Sequence, residues 1–320
     1  MCVSYQTWKS ERLTITDFDG PYFTHGLGIH YVPSIPNEMW IHAVNHIPSQ
    51  SCFPPSGSPS HPDCISESRV EIFLHDPTES PGTARHIKTV RHPLIFTPND
   101  IHSLGPDSFL VTNDHAFRTS HLGRSLEDLF DLSWMGRTSV IMVDGDRVET
   151  AIPRVHGANG LGAGPNGEIL LGDAGGGAFQ IVRRSGDAFT IREHIQLETT
   201  IDNPTYFSDP YATPGIGGDK SMYVAGGLTR ALDHQANIRN PAARDPVSVW
   251  SARRNASASG GWDKKLLMED TGEWATFAST ALVVGIDPKK SGNGGSARRE
   301  GWLMVTGPYS KAVGVLKVEL

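Results

Sequence analysis

"HSLGPDSFLVTNDH" (residues 102–115) has three parts: a turn on Gly105-Pro106-Asp107, an apolar run Phe109-Leu110-Val111, and the polar pair Asn113-Asp114. Proline presets the turn and Gly and Asp tolerate its tight backbone, so the apolar run reads as a strand entered from a turn. The same shape recurs in "VPSIPNEMWIHAVNH" (32–46), "LGAGPNGEILLGDAG" (161–175) and "PGIGGDKSMYVAGG" (214–227). "REGWLMVTGPYSKAVGVLKVEL" (299–320) is a fifth copy with one further strand. The landmarks Asn113, Gly172 and Gly226 are 59 and 54 residues apart. A period of roughly 40–60 residues with several strands in each predicts an all-β propeller.

Other strands fill the intervals: "VEIFLHD" (70–76), "SVIMVDGD" (139–146), "FQIVRRSGDAFTIREHI" (179–195) and "SVWSAR" (248–253), each with sheet-type alternation or β-branched enrichment. One helix is predicted, at "SLEDLFDLSWM" (125–135), where Ser125 and acidic residues open an apolar periodicity. Segments 48–66 and 288–299 are low in apolar residues and read as surface insertions. No linker divides the chain, so residues 1–320 are expected to form one domain.

Composition narrows the function. The 320 residues include 34 Gly and 22 Pro spread along the chain, as many short elements joined by turns require. A net charge of −7 without a basic run argues against a nucleic-acid groove or an anionic membrane patch. Nothing approaches the roughly 18 apolar residues of a bilayer span. The first residues lack the apolar run of a signal peptide, which leaves the compartment unassigned. Cys52 and Cys64 bracket a Pro/Ser loop and are either bridged or two free thiols; with Cys2 the total is odd.

Polar pairs stand at one phase of the repeat: His25-Gly26, Asn99-Asp100, Asn159-Gly160 and Asp202-Asn203, each roughly ten to twenty residues ahead of a repeated strand. They are expected in loops leading to innermost strands. Any one such pair is ordinarily a turn. Four at one phase supply carbonyl and carboxylate oxygens, a donor set that suits calcium and not zinc.

"HGLGIHY", "VNHIP", "IKTVRHPLIFTPNDIHSLGPDSFLVTNDHAF", "HGANGLGAGPNGEILLGD", "TIDNPTYFSDP" and "TGPYSKAVGVLKVEL" resemble, in order from about residue 13 to 320, the paraoxonase/arylesterase family of calcium-dependent lactonases. The resemblance implies a six-bladed propeller of four-stranded blades, with two Ca²⁺ ions in a central tunnel. An exposed ion would be held by Asn99, Asn159, Asp202 and Asn203, and a buried one by Asp100 and the backbone carbonyl of Leu27. His25 matches the active-site histidine and His46 the second member of a His–His dyad. Asn113-Asp114 would end a strand without touching either ion.

Three departures accompany the likeness. The family's Glu-Asp ligand pair has no counterpart, since Glu11, Asp17 and Asp19 lie too close to His25. Either the chain begins elsewhere or calcium binding is weakened. Gly227 stands where a histidine is expected, and Val318 where a cysteine is.

The function implied is hydrolysis of a small lactone or aryl ester by a monomer. The metal would polarise the carbonyl while His25, oriented by His46, acts as general base. His30, His42, His102 and His115 carry no motif support. Phe96, Trp134 and Trp274 could wall a substrate, though core packing is the more ordinary account of each. The alternatives are a non-hydrolytic propeller, acting as a binding protein or a cyclase/isomerase, and a truncated product unable to close its propeller.

Overall fold

The structure, a computed structural model, describes residues 2–3, 10–32, 35, 37–48, 66–115, 138–212, 218–229, 237, 240, 242–255, 261–287, 299–308, 310 and 312–320. Backbone proximity divides the chain into two compact units, Met1–His156 and Gly157–Leu320.

In the first unit β1 (Cys2–Val3) and β2 (Ser10–Glu11) form a two-stranded ribbon. β3 (Thr14–Thr16), β4 (Thr24–Tyr31), β5 (Met39–Pro48), β6 (Ser66–His75) and β7 (Thr83–Val90) build a five-stranded sheet in the order β3-β7-β6-β5-β4. Its pairings are antiparallel except β3, which lies parallel to β7. β8 (Pro98–Gly105), β9 (Ser108–Asn113), β10 (Thr138–Asp144) and β11 (Arg147–Val155) form a second, four-stranded meander. Val44, Val70, Ile72, Ile101, Phe109, Val111 and Ile141 make the core of this unit. Full burial of each such side chain is worth about 1.5–3 kcal/mol.

The second unit repeats the plan. β12 (Ala158–Ala163), β13 (Ile169–Asp173), β14 (Ala178–Ser185) and β15 (Ala188–Gln196) form one meander. β16 (Thr205–Phe207), β17 (Met222–Leu228), β18 (Val247–Arg254) and β19 (Trp262–Asp270) form the next, and β20 (Thr280–Gly285), β21 (Glu300–Thr306) and β22 (Gly314–Glu319) a three-stranded one.

The fold is thus the all-β propeller class that the repeat predicts, but with five blades among the described residues, not six. Four strands to a blade holds for three of the five. No sixth blade forms among the described residues, where the chain is spent differently. β3 joins the outer edge of the first sheet in place of founding another, and β1 and β2 make only a ribbon. The apolar runs of the repeat (β5, β9, β13, β17 and β21) prove to be the second strand of each sheet, not the innermost. The helix predicted at 125–135, and nearly all of the insertions at 48–66 and 288–299, lie outside the described residues.

Candidate active site

Three of the four polar pairs sit not in loops but on the first strands themselves, in a shared distortion. Thr24 pairs with Asn45 and Leu27 with Ala43, so three steps along β4 match two along β5. Pro98–Asn113 and Ile101–Val111 repeat the arrangement in the second sheet, and Ala158–Asp173 and Leu161–Leu171 in the third. Each is a β-bulge in which two residues oppose one, a device that re-aims side chains. The bulged residues are His25-Gly26, Asn99-Asp100 and Asn159-Gly160. Asp202-Asn203 lie just ahead of β16, where Asn203 forms an isolated bridge with Thr280.

In the first two sheets a buried asparagine of the second strand secures the bulge. Asn45, fully buried, accepts from the Phe23 backbone N–H (2.9 Å) and donates Nδ2 to Pro21 O (3.1 Å) and Glu71 Oε1 (3.0 Å). Asn113, also fully buried, accepts from the N–H groups of Phe96 and Thr97 (3.1 Å each) and donates to Leu94 O (2.7 Å). Each asparagine therefore clamps the chain entering a site strand. Thr112, opposite the second bulge, accepts the Asp100 N–H at 3.0 Å. In the third sheet Asp173 occupies the same register and binds the following turn, accepting from Gly176 N at 2.7 Å. Beneath Asn45, the buried Glu71 also accepts from Thr89 Oγ1 (2.6 Å) and His86 Nε2 (3.0 Å) and pairs with Arg69. Burial alone would raise its carboxyl. The hydrogen bonds of Thr89, Asn45 and His86 and the charge of Arg69 outweigh that and hold it below the usual carboxylate value.

Within the first unit the bulges meet. A Cβ built on Gly26 would lie 2.1 Å from Asn99 O and 2.8 Å from Asp100 Oδ1, so only glycine admits this approach. His25 is thereby set beside Asn99-Asp100. Its Nδ1 lies 3.3 Å from His46 Nε2, and the rings are tilted at 58°. The His46 backbone N–H donates to Phe23 O (3.0 Å), and its Nδ1 lies 2.9 Å from Ser68 Oγ. Asn99 donates Nδ2 to Asp114 Oδ2 at 3.1 Å. A carboxylate only accepts, so the Asn99 amide must face it with nitrogen and present Oδ1 on its other side. Asp114 therefore does touch a site residue, and its Oδ2 also lies 3.7 Å from His115 Nε2.

The second unit holds the remaining pairs. A Cβ on Gly160 would fall 2.0 Å from Asn203 Oδ1 and 2.5 Å from Asp202 O, so Asn159-Gly160 abuts Asp202-Asn203. Asn203 donates Nδ2 to Thr280 Oγ1 at 2.8 Å, again leaving Oδ1 to be presented. The Asn159 side-chain oxygen Oδ1 is buried without a hydrogen-bond partner among the described residues. An orphaned buried acceptor is costly, and a hard cation would satisfy it. The donors in both units are amide, carboxylate and backbone oxygens, which fit calcium. Among the described residues no group of three or more His, Cys, Asp or Glu is placed to hold a metal.

Other sequence candidates resolve differently. His42 is fully buried, with Nε2 3.2 Å from Pro106 O and Nδ1 2.8 Å from Ser103 Oγ. A carbonyl only accepts, so Nε2 carries the proton and Nδ1 accepts from serine. Burial, chiefly, lowers the His42 pKa to about 4, and does the same for His102. Both are neutral structural residues. Gly227 stands where a Cβ would come 1.5 Å from Thr200 O, so no histidine fits there without rebuilding the turn. Asp17 follows β3 at the outer edge of the first sheet, the full width of five strands from His25. Trp274 is exposed, Phe96 is half-buried, and Trp134 and the Cys52–Cys64 pair lie outside the described residues. Ser68, Asp114 and the two clamping asparagines were not among the sequence candidates. The signal for the clamps is present, since "AVNH" and "LVTND" place Asn at one phase of two copies.

A family model described as Arylesterase matches residues 60–209. "Serum paraoxonase/arylesterase 1" of Mus musculus is 38% identical over 111 residues, covering 35% of this chain and 29% of that protein. "Serum paraoxonase/lactonase 3" of Rattus norvegicus is 30% identical over 199 residues, covering 62% and 50%. Over these stretches the chain is similar to the paraoxonase/arylesterase family. "Serum paraoxonase/arylesterase 2" of Bos taurus is 26% identical over 221 residues, covering 65% of this chain and 60% of that protein. The chain therefore spans about 30–60% of the relatives it matches. Among solved structures, a luciferin-regenerating enzyme covers 93% of this chain at 10% identity with a TM-score of 0.42, a likeness too low to bear on function. No helix among the described residues is long and apolar enough to cross a membrane.

Proposed function

We propose that this chain is a calcium-dependent hydrolase of lactones and aryl esters of the paraoxonase/arylesterase kind, acting on a small-molecule substrate as a monomer. The observation that carries the reading is the 3.3 Å contact of His25 Nδ1 with His46 Nε2 on a bulge that abuts Asn99-Asp100. Turned to His46 through Nδ1, His25 has Nε2 to take the proton of an attacking water. Asn99, Asp100 and the Leu27 carbonyl in the first unit, and Asn159, Asp202 and Asn203 in the second, are the oxygens that would hold calcium. Bound calcium supplies a Lewis acid for the scissile carbonyl and for the oxyanion formed on attack. Leu27, Ile29 and Tyr31 are exposed and alternate along β4 beyond His25, an apolar stripe suited to an acyl or aryl group.

The test is calcium binding measured together with hydrolysis of a simple lactone and of phenyl acetate. The expected result is hydrolysis lost on chelation, restored by calcium and abolished in Asn203→Ala. A folded protein that binds no calcium and turns over neither substrate sinks the hydrolase reading and leaves the non-hydrolytic propeller.

A further inference from the structure

Ser68 stands directly opposite His46 in the β5–β6 register. Its Oγ lies 2.9 Å from His46 Nδ1, and no other side-chain hydrogen bond of Ser68 occurs among the described residues. With the His25–His46 contact this makes a three-member chain, His25–His46–Ser68, running from an exposed ring through a half-buried one to a strand hydroxyl. The tautomers along such a chain are coupled, because each link needs one donor and one acceptor.

Two settings exist. If Ser68 donates to His46 Nδ1, then His46 carries its proton on Nε2 and donates it to His25 Nδ1. Neutral His25 is then protonated at Nε2 and cannot accept a proton there. If Ser68 accepts from His46 Nδ1–H, then His46 Nε2 accepts from His25 Nδ1–H and the outer His25 nitrogen is free.

We infer that Ser68 is a positioning residue that accepts from His46 Nδ1 and so fixes the tautomer that leaves His25 Nε2 unprotonated. The choice between the two settings rests on the hydrolase reading, which needs His25 Nε2 free, because a hydroxyl can donate or accept. Ser68 touches neither substrate nor metal ligands. It acts through His46 alone. Register makes the contact dependable, since cross-strand neighbours on one face are held a few ångströms apart by the ladder.

The experiment compares the full chain with Ser68→Ala and Ser68→Thr, in the calcium-loaded state. ¹⁵N–¹H correlation spectra of the histidine rings report which nitrogen of His46 bears the proton, independently of turnover. Nδ1–H is expected in the parent and in Ser68→Thr, and a shift toward Nε2–H in Ser68→Ala. A hydrogen bond of ordinary neutral strength shifts a two-state population by about fivefold. The kcat of Ser68→Ala should therefore fall about fivefold at unchanged KM, with threonine restoring it. A His46 tautomer that is the same with alanine at position 68, or that is already Nε2–H in the parent, overturns the inference. So does an unaltered kcat in Ser68→Ala when His46→Ala is impaired. If the parent hydrolyses nothing but its His46 tautomer moves in Ser68→Ala, the hydrolase reading fails and the positioning role of Ser68 stands.

Discussion

Gly26→Ala is the sharpest perturbation the geometry offers. The new methyl carbon would lie 2.1 Å from Asn99 O and 2.5 Å from the Asp100 Cα. Both are backbone atoms, so no rotamer change relieves the contact. Carbon and oxygen come to rest at about 3.3 Å or more, so β4 and β8 must part by about 1.2 Å. Overpacking of this kind costs about 1–3 kcal/mol. Each kcal/mol lowers Tm by about 2–4 °C in a unit of this size. The chemical effect should exceed the thermal one, because His25 moves with Gly26 while Asn99 and Asp100 stay with β8. A misplacement of about 1 Å in a reacting group is worth about a hundredfold in rate. Hydrolysis of phenyl acetate should therefore fall about a hundredfold, calcium affinity should weaken, and Tm should drop by several degrees. Gly105→Ala is the control: its nearest atom would be Ser108 Cβ at an ordinary 3.6 Å, and neither quantity should move. Parent-like turnover and melting in Gly26→Ala would refute the claim that this close approach sets the site.

Two further outcomes are expected. Asp114→Asn leaves an amide that can offer either end to Asn99, so Asn99 Oδ1 is no longer held outward. Calcium titration should show affinity weakened by about tenfold with Tm nearly unchanged, since a hydrogen bond to a charged acceptor is lost; equal affinity would show that Asn99 needs no such anchor. Acid should destabilise the first unit through His42 and His102. Both have folded pKa values lowered to about 4 from 6.5, so between those values the unfolded chain binds more protons and stability rises with pH. That stability is present above about pH 6.5 and is lost as the pH falls to about 4, and for the fully buried His42 it amounts to about 3 kcal/mol. Denaturant melts across this range should flatten in His42→Gln, and an unchanged slope would contradict the assignment.

How much of this was legible in the sequence depends on strand position. β9, β13, β17 and β21 are second strands of their sheets, carry contiguous apolar runs between Gly/Pro turns, and were all readable. The first strands were not. β4, β8 and β12 carry Gly, His, Asn and Asp where the bulges fall, and that composition imitates a loop. The polar pairs at 25–26, 99–100 and 159–160 were thus picked out by phase and misplaced by element. Blade number failed for a different reason: β3 pairs parallel with β7 at a sheet's outer edge, a choice that Thr14–Thr16 alone does not reveal. Ser68 and Asp114 were invisible as site residues because their roles depend on which side chain stands opposite, and one step of register would send each to the other face.

The three bulges share one backbone bend and differ in what they display: an imidazole with a glycine, an amide with a carboxylate, an amide with a glycine. In the first two the clamp belongs to the neighbouring strand, not to the displayed dipeptide. Chemistry and scaffold are therefore separable here. A pair can be exchanged without unpicking the sheet beneath it, provided that the second position stays as small as the facing backbone demands. Such a mount gives the fold interchangeable sockets, and through them one ancestral blade could come to supply a proton acceptor in one copy and cation ligands in the next.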